Sequence, residues 1–334
     1  MQRRAFLEAA GTLTMGLTLD LSDGIAQKHR ALSSQAATSF SKTKSGPVYV
    51  VLGVPLRTGS LYPGNENDAQ AYREAGIIAS LTAAGCNVLD GGDIPIPSYL
   101  PHHSVPPIRS WPGPRIVWEI VSEKVTEVLK QPQQIPFLIG CDCSVVVGTA
   151  KALQQASSQD IHVLYVDGDC DDAPPASGHC QSAAACAAWF LTNPSPFWAG
   201  SSLQPSQLSL VSFTRPSQAK QPGVHSFPLT EIHRLGPRAA ASQMLAAIPP
   251  SAAILLHLDI DVFRSADLSA VYFPHAEGLT LAEGAELLEV LLHDNRVRIV
   301  EISEYASLRD QEQASVHKLI AMFAGNLQKA TPQN

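Results

Sequence analysis

The sequence has no excess of positive charge, no apolar run of membrane length and no dense cysteine pattern. Its 23 Lys and Arg stand against 30 Asp and Glu, a formal charge of −7, which leaves no electrostatic footprint for nucleic acid. No uninterrupted apolar stretch approaches the roughly 18–20 residues that cross a bilayer as a helix, so no membrane span is expected and the chain reads as soluble. Six cysteines in 334 residues are too sparse for a disulfide scaffold. No internal repeat is visible. What remains is a chain 45% hydrophobic and 16% charged, with ample material for a core and too much for global disorder.

The first residues differ from the rest. Arg3-Arg4-Ala5-Phe6-Leu7 is a twin-arginine pair followed by Phe-Leu, a mildly apolar stretch runs from Ala9 to about Leu19, and Gly24-Ile25-Ala26 offers a cleavage point before Gln27. Residues 1–26 therefore resemble a Tat export signal, which predicts a periplasmic protein exported already folded. Residues 27–46, with Ser, Thr, Lys and Gln and few apolar positions, read as a linker, and 47–330 as one domain.

In that domain short β-branched runs alternate with longer amphipathic ones. Strands are predicted over 47–52, 87–89, 135–139, 161–166, 207–213, 253–258 and 297–302. Helices are predicted over 68–84, 116–129, 144–155, 181–191, 237–248, 281–292 and 311–327, with a long proline-rich connection over 90–112. This β-then-α order with nearly continuous apolar strands implies an α/β fold, a mostly parallel sheet of about eight strands covered on both faces. In such sheets the ligand site lies beyond the carboxyl ends of the strands.

The chemistry falls there. Asp167-Gly168-Asp169-Cys170-Asp171 follows the apolar run 161–166, and Asp259-Ile260-Asp261 follows 253–258. Residues two apart in extended backbone point the same way, so each segment presents its carboxylates together. Gathering the two strand ends would bring together five carboxylates, whose repulsion is hard to tolerate without bound cations. A metal site, of one or two ions, is the expectation.

Four segments occur in order: Gly140-Cys141-Asp142-Cys143-Ser144, Asp167-Gly168-Asp169-Cys170-Asp171, Asp259-Ile260-Asp261 with Gly278-Leu279-Thr280, and Glu301-Ile302-Ser303-Glu304. Together they resemble the ureohydrolase superfamily of arginase, agmatinase and formimidoylglutamase over about residues 47–328. The resemblance implies a three-layer α/β/α sandwich, a small-molecule substrate, and a homo-oligomer (trimer or hexamer). It also implies a binuclear, usually manganese, centre that hydrolyses a non-peptide C–N bond of a guanidino or amidino group by attack of metal-bound hydroxide. By position, Asp167 and Asp259 would bridge two divalent ions; Cys143 and Asp171 would complete one shell, and Asp169 and Asp261 the other. Asp171 would orient the nucleophile, Glu304 would pair with a cationic substrate, and His179 would protonate the leaving amine.

Two positions depart from the family pattern. Its first histidine ligand is Cys143 here and its second is Asp169. A thiolate favours zinc, iron, cobalt or nickel over manganese, and an added carboxylate makes a bound water less acidic. One rival reading is a degenerate member that binds metal or ligand without turnover; another, metal-dependent deacetylation, lacks its histidine pair. His162 and His257, inside apolar strands, read as core histidines, whereas His275 lies in a loop that could face substrate. Cys141 and Cys170 are read as small buried hydrophobes, with a disulfide or thiolate ligation among Cys141, Cys143, Cys170 and Cys180 left open. Glu304 has a structural alternative, pairing with Arg298 or Arg309.

Overall fold

The computed structural model describes residues 46–64, 66–100, 102–103, 105–140, 142–176, 178–198, 200–217 and 221–330. The export signal predicted over 1–26, the linker apart from Gly46, and Cys141 lie outside the described residues.

Eight strands form one sheet: β1 (Val48–Gly53), β2 (Asn87–Asp93), β3 (Gln134–Ile139), β4 (Ile161–Val166), β5 (Leu208–Val211), β6 (His225–Phe227), β7 (Ala253–Asp259) and β8 (Val297–Ser303). Their order is β2-β1-β3-β8-β7-β4-β5-β6, and every neighbouring pair is parallel. β4 and β7 are buried along their whole length, as strands covered on both faces must be.

Helices α1 (Asp68–Glu74), α2 (Ile77–Ala83), α6 (Leu229–Leu235), α7 (Pro237–Ala247), α8 (Leu281–Leu292) and α9 (Ala314–Ala330) cover one face through residues such as Tyr72, Met244, Leu288 and Phe323. Helices α3 (Gly113–Leu129), α4 (Val146–Ala156) and α5 (Ala187–Thr192) cover the other through Trp118, Val121, Val146 and Phe190. The result is the expected three-layer α/β/α sandwich.

Local physics explains where elements depart from the sequence pattern. The helix predicted over 68–84 breaks at Gly76, whose φ of +86° belongs to the left-handed region that glycine enters without strain. Gln181 stays out of the following helix because its backbone bonds Pro107 and Arg109 in an extended bridge. The proline-rich connection is partly ordered: β2 runs on to Asp93, and His103 pairs antiparallel with Trp111. The edge strand β6 has only three residues, too short for a periodic signal. The Gly278-Leu279-Thr280 segment has a structural task. Thr280 Oγ1 accepts from Glu283 N at 3.1 Å and Glu283 accepts from Thr280 N at 2.8 Å, a reciprocal cap that starts α8.

Candidate metal centre

The sheet register builds the site in rows across its central strands. Glu301 on β8 lies beside His257 on β7, which lies beside Tyr165 on β4. Two residues further along, Ser303 lies beside Asp259, and Asp167 follows Tyr165 at the same interval. Because alternate residues share a face, a buried polar row sits beneath the row that carries the strand-end carboxylates.

The upper row meets the turn after β3. Asp142 and Cys143 begin there, Asp142 accepting from Ser144 N at 3.0 Å and from Gly59 N at 3.0 Å. Cys143 Sγ lies 2.8 Å from Asp259 Oδ2 and 3.0 Å from Ser303 Oγ. Asp167, Asp259 and Asp261 each bring a carboxylate oxygen within 4.8 Å of the others, and Cys143, Asp167 and one His257 ring nitrogen form a second group of that size. All five residues are buried.

Such crowding shifts protonation strongly. Burial, then repulsion by Asp259, Asp171 and Asp261, pushes the Asp167 carboxyl well above the ordinary range. Asp259 is raised in the same sense by burial and by Asp261 and Glu304. Burial pushes the Cys143 thiol up, and Asp259 and Asp167 add to it. Burial raises Asp171 to about 8 even though the Tyr165 hydroxyl donates to its Oδ2 at 2.8 Å.

The outer group is less enclosed. Asp261 N donates to Asp259 Oδ1 at 2.7 Å, while Asp261 Oδ1 accepts from Gly168 N at 3.2 Å. A Cβ on Gly168 would fall 2.7 Å from His275 Cδ2, so only glycine lets this loop approach so closely. His275 Nε2 lies 3.5 Å from Asp261 Oδ2 and 3.6 Å from Asp169 Oδ2, and the Asp261 carboxylate raises its pKa. Asp169 is partly exposed, with Arg215 Nε 3.7 Å from its Oδ1.

Glu304 is 3% exposed, has a φ of +62°, and makes no hydrogen bond with the described residues. Burial and then Asp142 raise its pKa well above the carboxylate range, and the Arg57 charge opposes them without prevailing. The structural alternative for Glu304 is not realised. Arg298 instead binds Pro132 O, and Arg309 binds Val271 O and Tyr272 O. His179 is exposed and makes no hydrogen bond or ion pair with the described residues, whereas His275 lies against Asp169 and Asp261.

Cation binding fits this arrangement. Asp167 Oδ2, both Glu304 oxygens and His275 Nε2 are buried without hydrogen-bond partners among the described residues. Unsatisfied buried carboxylates are costly, and a divalent ion both neutralises and coordinates them.

The arginase family model matches residues 48–327. The chain belongs to the arginase family. Arginase from Brevibacillus brevis is 24% identical over 292 residues, covering 82% of this chain and 95% of that protein. The Entamoeba histolytica arginase in complex with L-ornithine superposes with a TM-score of 0.76 at 14% identity, covering 86% of this chain and 99% of that one. Trypanosoma cruzi formiminoglutamase with manganese gives 0.66 at 19% identity, covering 88% and 97%. Identity this low accompanies a retained arginase fold, and it leaves room for the altered residues at positions 143 and 169.

Several participants had no site role assigned from the sequence, although Glu301 and Ser303 lie inside a quoted segment. His257, Glu301, Ser303 and Tyr165 lie within strands that read as apolar core, yet they form the polar row and its contacts. His257 stands two residues before Asp259, the same interval that marks the carboxylates, and that period of two was the available signal. Arg57 is 1% exposed, paired with Asp68 and stacked 3.4 Å over the Tyr272 ring. It ties the loop after β1 to the segment after β7. The described cysteines are free, so no disulfide forms among Cys143, Cys170 and Cys180. Cys170 is buried, as read.

Proposed function

We propose that this arginase-family protein is a metal-dependent hydrolase of a non-peptide C–N bond in a guanidino or amidino small molecule. The observation that carries this is the pair of donor groups, Cys143–Asp167–His257 and Asp167–Asp259–Asp261, sharing Asp167 at the carboxyl ends of β3, β4 and β7. Cys143, Asp167, Asp169, Asp171, Asp259 and Asp261 would hold two divalent ions. Cys143 supports zinc, cobalt, iron or nickel, while manganese rests on the family. When bound, the ions supply Lewis acidity and a water ionised near neutral pH.

The chain's own residues then divide the remaining work. Asp171 Oδ2, held by the Tyr165 hydroxyl at 2.8 Å, orients the nucleophile and takes its proton. Glu304 has both oxygens free to pair with a planar cation, and losing its proton to bind one relieves its buried, unpaired state. His275, between Asp169 and Asp261, is placed better than His179 to hand a proton to the leaving amine.

The test is a screen of purified protein, loaded separately with manganese, zinc, cobalt, iron or nickel, for urea, formamide or ammonia release from guanidino, amidino and formimino compounds. Turnover in any arm supports the reading. Metal uptake with no turnover in every arm refutes it and leaves a binding protein.

A further inference from the structure

Position 143 carries no imidazole, but the structure supplies one nearby. His257 Nδ1 lies 2.9 Å from Glu301 Oε1, and Thr149 Oγ1 donates to the other Glu301 oxygen at 2.7 Å. His257 and Glu301 are both fully buried. A carboxylate already accepting a hydroxyl proton takes the imidazole N–H as well, which fixes the tautomer and leaves Nε2 with its lone pair. That nitrogen lies 3.4 Å from Ser303 Oγ, which is itself 3.0 Å from Cys143 Sγ. Tyr165 stacks on the ring, with centroids 4.3 Å apart and 16° between planes, so the imidazole cannot swing away.

A carboxylate behind one imidazole nitrogen, with a ring nitrogen within 4.8 Å of a cysteine sulfur and a carboxylate oxygen, is the arrangement that orients metal-ligating histidines. We infer that His257 is a metal ligand, so that Cys143, Asp167 and His257 bind the inner ion as a thiolate–carboxylate–imidazole set with Glu301 as the positioning residue. This rests on the metal-centre part of the proposed function. The imidazole has moved from the turn after β3 to the interior of β7, and the set is one that zinc or cobalt fills more readily than manganese.

Cobalt(II) titrated into chelator-treated full-length protein tests it, read by the near-ultraviolet thiolate-to-cobalt band, the visible d–d bands and the dissociation constant. His257→Asn is expected to keep the thiolate band, alter the d–d envelope and weaken binding at least about tenfold. Glu301→Gln retains the shape and all three ligands, and is expected to weaken binding by about 10–100-fold with the band pattern kept. If His257→Asn binds cobalt with wild-type affinity and spectrum, the inference is wrong. Should that variant fail to melt cooperatively, Glu301→Gln decides, and wild-type affinity there overturns the assignment. Wild-type protein that binds cobalt through His257 but hydrolyses no amidine sinks only the hydrolase reading. Wild-type protein that binds no cobalt sinks both.

Discussion

Replacing Asp259 with Asn should make the metal-free protein more stable and the metal-treated protein less so. Asp259, Asp167 and Asp261 bring oxygens within 4.8 Å of one another, and two unit charges at that distance repel by about 3 kcal/mol at an effective dielectric near 20. Proton linkage acts in the same direction. Burial, then repulsion by Asp261 and Glu304, raises the folded-state pKa of Asp259 above its unfolded value, so the metal-free fold holds this proton to higher pH than the unfolded chain does. The sign follows from that proton. Stability from a raised carboxyl is complete below about pH 4 and is lost as pH climbs towards the folded pKa. Asn has no proton to retain. The variant's advantage should be near zero at pH 4 and reach about 3 kcal/mol at pH 7, a rise in Tm of about 6–12 °C for a domain of this size. Scanning calorimetry of chelator-treated wild type and variant from pH 4 to 8 measures it. Added zinc or cobalt should raise the wild-type Tm and leave the variant unchanged. A variant less stable than metal-free wild type at pH 7, or one stabilised equally by metal, would refute the reasoning.

Three further outcomes are expected. Cys143→His should shift relative affinity from zinc and cobalt towards manganese, measured by competition between ions and by metal content after dialysis. Glu304→Gln should retain its metal but lose about 10–100-fold in kcat/KM with a cationic substrate, because it removes a charged hydrogen-bond acceptor. Arg57→Met leaves the fully buried Asp68 without its charged partner, only Ser307 still bonding it, and should cost about 3–5 kcal/mol in urea unfolding, with metal stoichiometry unchanged.

The carboxylates could be found without a structure because their signal is local: alternation directly after apolar strands places Asp167 and Asp259 on one face whatever the rest of the chain does. The polar row was hidden for the opposite reason. Glu301 and His257 meet only through the pairing of β8 with β7, 44 residues apart, and nothing in either strand alone announces the other. An imidazole flanked by Leu256 and Leu258 looks like packing until register gives it a carboxylate partner. Cys143 was readable by motif position, but its contacts with Asp259 and Ser303 depend on the same non-local pairing. The break at Gly76 was a local event that helical periodicity concealed. Apolar spacing continues on both sides of it, and only the backbone angle shows the stop.

The place of β8 in the sheet governs when this centre can come into being. Val297–Ser303 is inserted between β3 and β7, whose sequences are complete well before it. During synthesis those two strands must wait with unpaired inner edges; β4 and β7 can already pair and gather Asp167, Asp259 and Asp261, but Cys143, after β3, is joined to them through the sheet only when Val297–Ser303 fills the gap. The group that includes Cys143 is therefore complete only in the finished sheet. Chains halted before Val297 should accumulate as aggregation-prone material, since open strand edges recruit one another.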